Sequence, residues 1–102
     1  MIGTGIAAAI PEKTFGAVFP RSGLATKKGL RLANSVGVID SDYRGEIKVA
    51  LHNDSDITQT VTAGERIAQL VIIPYIRADF EEVTELDETD RGEGGFGSSG
   101  TN

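Results

Sequence analysis

The chain is 102 residues long, 39% hydrophobic and 25% charged, with a net charge of −5, no cysteine and one histidine. A single domain of this size buries only about 60–65% of the surface its unfolded chain exposes, so its core is marginal without support. Disulfides and structural zinc are excluded as that support by the missing cysteines and the lone histidine, and oligomerisation is left. The charge is uneven: residues 79–93 carry eight acids against Arg91, while the remainder holds seven acids and nine bases. No basic stripe is long enough to neutralise many phosphates, which excludes nucleic-acid polymers as partners. No apolar run approaches the ~20 residues of a membrane span.

In chain order, Met1 to Ile10 is apolar, lacks a basic leader and reads as a strand, not a secretory signal. That and the absent cysteines favour the cytoplasm. Phe15, Ala17 and Phe19 alternate ahead of Pro20, as in a strand. Ser22 to Lys28 is the one stretch suited to a helix, with Ser22 as N-cap and Gly29 as its stop. Gly37 to Gly45 reads as a β-hairpin turn between two apolar runs. Ile47, Val49 and Leu51 alternate with Lys48, Ala50 and His52 as in a half-buried strand. Ile67 to Ile73, apolar on both faces except at Gln69, predicts a strand covered on both sides. Phe80-Glu81-Glu82-Val83 suggests a further short strand. Short strands punctuated by Gly, Asn and Asp predict an all-β barrel or sandwich over residues 1–84. Residues 85–102 read as a flexible Gly/Ser-rich arm.

Four stretches carry candidate chemistry. Pro20-Arg21-Ser22-Gly23 joins a strand to the predicted helix, where free N–H groups, a guanidinium and a hydroxyl suit phosphate; an ordinary cap beside a surface arginine fits equally well. Asp40, directly after Ile39, is expected at a strand end with restricted solvent access, where a carboxylate serves as general base toward water. Plain turn chemistry is the commoner use of such an aspartate. Gln69 is polar within an apolar run and needs a partner, either a ligand or an internal amide. Gly92, Gly94 and Gly97 satisfy G-x-G-x-x-G, but no strand precedes them and no helix follows, so a dinucleotide fold is excluded. The functional reading of the tail is an arm whose glycines let backbone N–H groups approach phosphate while Arg91 pairs with it and Phe96 stacks on a base.

Taken together, Pro20–Ala25, Gly37–Glu46, Gly64–Val71 and Arg91–Gly100 resemble motifs two to five of the trimeric dUTPase family, in order and over nearly the whole chain. The resemblance implies a jelly-roll-like distorted barrel with one short helix, assembled as a homotrimer with shared active sites. It implies hydrolysis of dUTP to dUMP and pyrophosphate, with magnesium bound mainly through the substrate triphosphate and no dedicated protein metal site. By position, Asp40 matches the residue that activates water for attack on the α-phosphorus. Tyr43 matches the residue whose ring lies against deoxyribose, and Asn34 the uracil-reading edge. Arg21, Ser22, Gly23 and Gln69 match phosphate contacts; Arg91, Phe96, Gly97, Ser98 and Ser99 match the closing arm of a neighbouring subunit. Motif one, an Ala-Gly-x-Asp-Leu-type segment, is expected upstream of Thr4-Gly5-Ile6, where this chain begins instead, so the chain reads as N-terminally shortened. Two other readings follow from that: a catalytically impaired nucleotide-binding or regulatory relative, and a dCTP deaminase relative, the latter disfavoured by the Asp40/Tyr43 segment and the arm.

Overall fold

The computed structural model describes residues 1–97. Seven strands and one helix follow in the order β1 (Ile2–Gly3), β2 (Thr14–Pro20), α1 (Ser22–Lys28), β3 (Leu30–Leu32), β4 (Gly37–Ile39), β5 (Lys48–Val49), β6 (Leu51–Asn53) and β7 (Ala68–Pro74). They form three antiparallel sheets, β4-β2-β7, β1-β5 and β3-β6. The all-β class with one short helix is as predicted, but the strands do not close into a barrel within one chain. Its extents are 54 × 39 × 17 Å and its radius of gyration is 19.2 Å, against about 13 Å for a compact domain of this length.

The central strand β2 holds the structure together. It pairs with β7 along its whole length, from Thr14↔Pro74 to Pro20↔Ala68, and with β4 from Gly16↔Ile39 to Val18↔Gly37. Below it lies the core: Val18, Leu24, Leu30, Leu32, Val49 and Ile67 are buried together, with Ile2, Ile39, Leu51, Val61 and Ala68 packed against them. Helix α1 joins this core through Leu24 and ends at Gly29, whose left-handed backbone (φ 68°, ψ 23°) lets its N–H reach the carbonyl of Leu24. Its bounds match the sequence expectation. Its start does not: Arg21, not Ser22, is the capping residue and makes no side-chain cap bond, because Ser22 already has helical backbone.

Four strand expectations are corrected. Only Ile2 and Gly3 of the Met1–Ile10 stretch join a ladder, opposite Val49 and Lys48. The Gly37–Gly45 segment does not turn between two mutually paired strands, since β4 pairs with β2 and β5 with β1. It is a connection between two sheets, and local alternation carries no information on such distant pairing. Phe80–Val83 is not a strand, and Phe80 is fully exposed; two apolar residues flanking two acids offer little face to bury. Strand β7 is not covered on both sides by the described residues: Leu70, Val71 and Ile72 remain 42–43% exposed. Among the described residues no helix is long and apolar enough to cross a membrane.

Candidate active site

The predicted residues collect at the two ends of β2. At one end Asn34, Asp40 and Tyr43 line a single cleft of about 330 Å³ with Val38, Glu46 and Lys48 among its other walls. That volume lies in the range of small-ligand sites. Asp40 follows the last residue of β4, as expected, but it is exposed, because β4 is the edge strand of its sheet and none of the described residues covers the carboxylate there. The turn that carries it is fastened to itself. The Tyr43 N–H donates to the Asp40 carbonyl (3.1 Å), and the Tyr43 hydroxyl donates to the Glu46 carbonyl (2.7 Å). Arg44 donates to the Ser41 carbonyl (2.7 Å). Glu46 in turn accepts the Gly5 N–H through Oε2 (2.9 Å), so the N-terminal segment braces the turn from behind. The Asp40 carboxylate accepts none of these bonds, which leaves it open toward the cleft and solvent.

At the other end, Arg21 lines a groove of about 640 Å³ with Gly64, Glu65, Arg66, Ile67 and Ala68. Ser22 and Gly23 open the first turn of α1 beside it and are exposed. Gln69, whose partner the sequence left open, donates through Nε2 to the Pro20 carbonyl (3.0 Å), which ties β7 to the residue before Arg21. The turn into β7 is held by Thr62, whose hydroxyl donates to Glu65 (3.3 Å), and by Lys28 from the end of α1, 3.6 Å from Glu65. Glu65 and Glu46 were not singled out in the sequence. The signal for both was an acidic residue next to a glycine at a turn, a pattern too common to select them.

These two ends are far apart. Ile39 pairs with Gly16, so Asp40 lies opposite Phe15, six residues from Arg21, or about 20 Å at the usual rise of a strand. The arm residues line neither groove. Arg91 donates through Nε to the Gly94 carbonyl, and the Gly94 N–H returns to the Arg91 carbonyl (3.2 Å). Gly92, Phe96 and Gly97 all have positive φ (56°, 49° and 83°), and Phe96 is wholly exposed. Ser98 and Ser99 lie outside the described residues. The described residues hold no group of three or more acidic or histidine side chains suited to a metal ion.

An open sheet, with a small-ligand cleft between β4, β5 and Val18 of β2 and an arginine-bearing groove beyond Pro20, defines a β-built protein with room for a small polar molecule. The family model described as dUTPase matches residues 1–100, and the chain belongs to the dUTPase family. It is 56% identical over 101 residues to the deoxyuridine 5'-triphosphate nucleotidohydrolase of Corynebacterium glutamicum, covering 98% of this chain and 68% of the relative. The enzyme of the same name from Idiomarina loihiensis is 55% identical, with 98% and 67% covered. Among solved structures, a mutant of the Staphylococcus bacteriophage 80alpha dUTPase with dUpNHpp is similar at TM-score 0.80 and 31% identity, over 96% of this chain and 73% of that one. A dUTPase from Streptococcus mutans aligns at TM-score 0.72 and 39% identity, over 76% and 66%.

Proposed function

We propose that this chain is a dUTP diphosphatase, converting dUTP and water to dUMP and pyrophosphate. The observation that carries this reading is the single cleft that gathers Asn34, Asp40 and Tyr43, on a chain with more than half its residues identical to enzymes bearing that activity in their names. Asp40 takes a proton from water as its oxygen bonds to the α-phosphorus. The bond from that phosphorus to the oxygen bridging to the β-phosphate breaks, and pyrophosphate leaves with the electron pair. Tyr43 stands against the deoxyribose, and Asn34 with the backbone near it meets the uracil edge. Magnesium bound to the triphosphate would screen its charge and would call for few ligands from this chain, whose described residues hold no metal-suited cluster.

Arg21, Ser22, Gly23 and Gln69 serve the phosphates, but of a nucleotide seated on another copy. The ~20 Å between Asp40 and Arg21 in one chain exceeds the reach of two outer phosphate groups. The open apolar face of β7 supports the same assembly, a homotrimer with shared sites, because covering the exposed half of each of Leu70, Val71 and Ile72 contributes about 1 kcal/mol per side chain. Residues 85–102 form the arm that closes over a neighbour's cleft, with Arg91 and the serines on phosphate and Phe96 and Gly97 at the base. The exposed Phe96 supports that role. The cysteine-free composition fits the cytoplasm.

Pyrophosphate release from dUTP with magnesium tests the proposal. Activity that is lost in Asp40→Asn supports it, whereas tight dUTP binding without turnover overturns it in favour of a binding protein. Mixed assemblies of Asp40→Asn and Arg21→Ala chains test the sharing: recovered activity requires intact residues from different copies to meet in one site.

A further inference from the structure

Gly45 has no left-handed backbone angle, so its glycine is not explained by the path of the chain. Space explains it. A Cβ built at position 45 would lie 2.5 Å from the Tyr43 hydroxyl oxygen and 2.7 Å from Cζ, closer than any real Cβ contact, and 3.0 Å from Cε1, a tight one, so the ring would have to shift. The ring of Tyr43 therefore rests in the place where every other residue type would put its side chain. Its hydroxyl is then anchored one residue further on, by the 2.7 Å bond to the Glu46 carbonyl. The ring is thus laid back along residues 45 and 46, on the wall of the cleft that also holds Asp40 and Asn34.

We infer that Gly45 is a specificity-determining residue that acts through Tyr43: by leaving its side-chain volume empty, it sets the ring where it discriminates deoxyribose from ribose. This rests on the reading of Tyr43 as the residue against the sugar. The colliding atoms are the outer half of a side chain, while the backbone of the turn is held by the Tyr43 N–H to Asp40 (3.1 Å) and by Arg44 to Ser41 (2.7 Å). A methyl at position 45 moves the ring and leaves the turn in place. The displaced ring loses its bond to Glu46 and no longer stands where it discriminates between the two sugars.

The test is kcat/KM for pyrophosphate release from dUTP and from its ribose counterpart UTP, measured on the full chain and on Gly45→Ala, Tyr43→Ala and the double variant. Gly45→Ala raises the UTP-to-dUTP ratio by about tenfold or more, the scale of a steric sieve of one small group. The same change made on top of Tyr43→Ala moves the ratio by less than about twofold, since no ring is left to displace. If Tyr43→Ala raises the ratio and Gly45→Ala does not, the role of Gly45 is overturned while the reading of Tyr43 stands. If Tyr43→Ala leaves the ratio unchanged, the reading of Tyr43 fails. Should Gly45→Ala fail to fold, the double variant decides: recovered folding and activity support the contact, and continued misfolding shows that the glycine serves the backbone after all.

Discussion

The turn from Asp40 to Glu46 and the stretch from Leu70 to Leu86 are both largely exposed, and they differ in how their groups are satisfied. The turn closes its own hydrogen bonds, through Tyr43, Arg44 and Glu46, and is braced by Gly5. The other stretch finishes its backbone pairing at Pro74, with Tyr75 still tied to Lys13 (3.2 Å) and its ring 6.2 Å from that of Phe15. Beyond that, Ile76, Phe80 and Leu86 present their apolar side chains to water. Exposed polar groups bonded within their own chain mark a preorganised surface. Exposed apolar groups with nothing over them mark a surface whose cover comes from elsewhere.

The largest expected effect breaks the turn chemically without touching the other region. Asp40→Asn lowers kcat on dUTP by about 10²–10⁴-fold, the usual worth of a general base, while the molecular mass in solution and the affinity for dUpNHpp stay as they are. Near-normal turnover in that variant would remove Asp40 from the reaction. Next comes the face of β7: Ile72→Asp places a carboxylate in a proposed apolar contact and weakens self-association by about 100-fold or more, read by analytical ultracentrifugation across protein concentrations. An unchanged mass distribution would sink the assignment of this face to an interface. Phe96→Ala costs about 1–3 kcal/mol of uracil-nucleotide affinity by calorimetry, and equal affinities would dismiss the stacking role.

Two smaller effects lie inside the chain and sharpen the contrast. Gly29→Ala forces a side chain into left-handed backbone and against Ser55, 3.3 Å from the new methyl. It costs about 1 kcal/mol, or roughly 4–8 °C in Tm at a fixed protein concentration. Its shift is constant with dilution, whereas the Tm of any variant acting through self-association varies with concentration. Lys28→Met removes a 3.6 Å ion pair with Glu65 whose side chains are 40% and 22% exposed. It changes stability by about 0.5 kcal/mol or less, and less still in high salt.

Features set by neighbours in sequence were legible before any coordinates. The limits of α1, its stop at Gly29, the strand before Pro20 and the placing of Asp40 directly after a strand all follow from residues within a few positions. Features set by distant pairing were not. Nothing in Gly37–Leu51 says that its first part joins β2, Lys48–Val49 joins β1 and Leu51 joins β3, since the alternation is the same for any partner and reads as one strand through Leu51. The two-sided apolar pattern of β7 predicted cover on both faces, which the chain does not supply, because an apolar pattern alone does not say what packs over a strand. Among the site residues, Asn34, Asp40 and Tyr43 do converge. Arg21 and Gln69 gather at the far end of β2, and the gap between the ends is a matter of register, invisible until Gly16 is seen opposite Ile39.

The described residues span 17 Å in their shortest direction, room for little more than two sheets stacked about 10 Å apart. The chain's private interior is the small core around Val18, Leu32 and Val49, and β7 lies largely outside it. In a closed ring of identical copies, one substitution on β7 recurs at every seam simultaneously. Under the proposed assembly, residues such as Val71, 42% exposed on the single chain, respond to substitution as buried residues do.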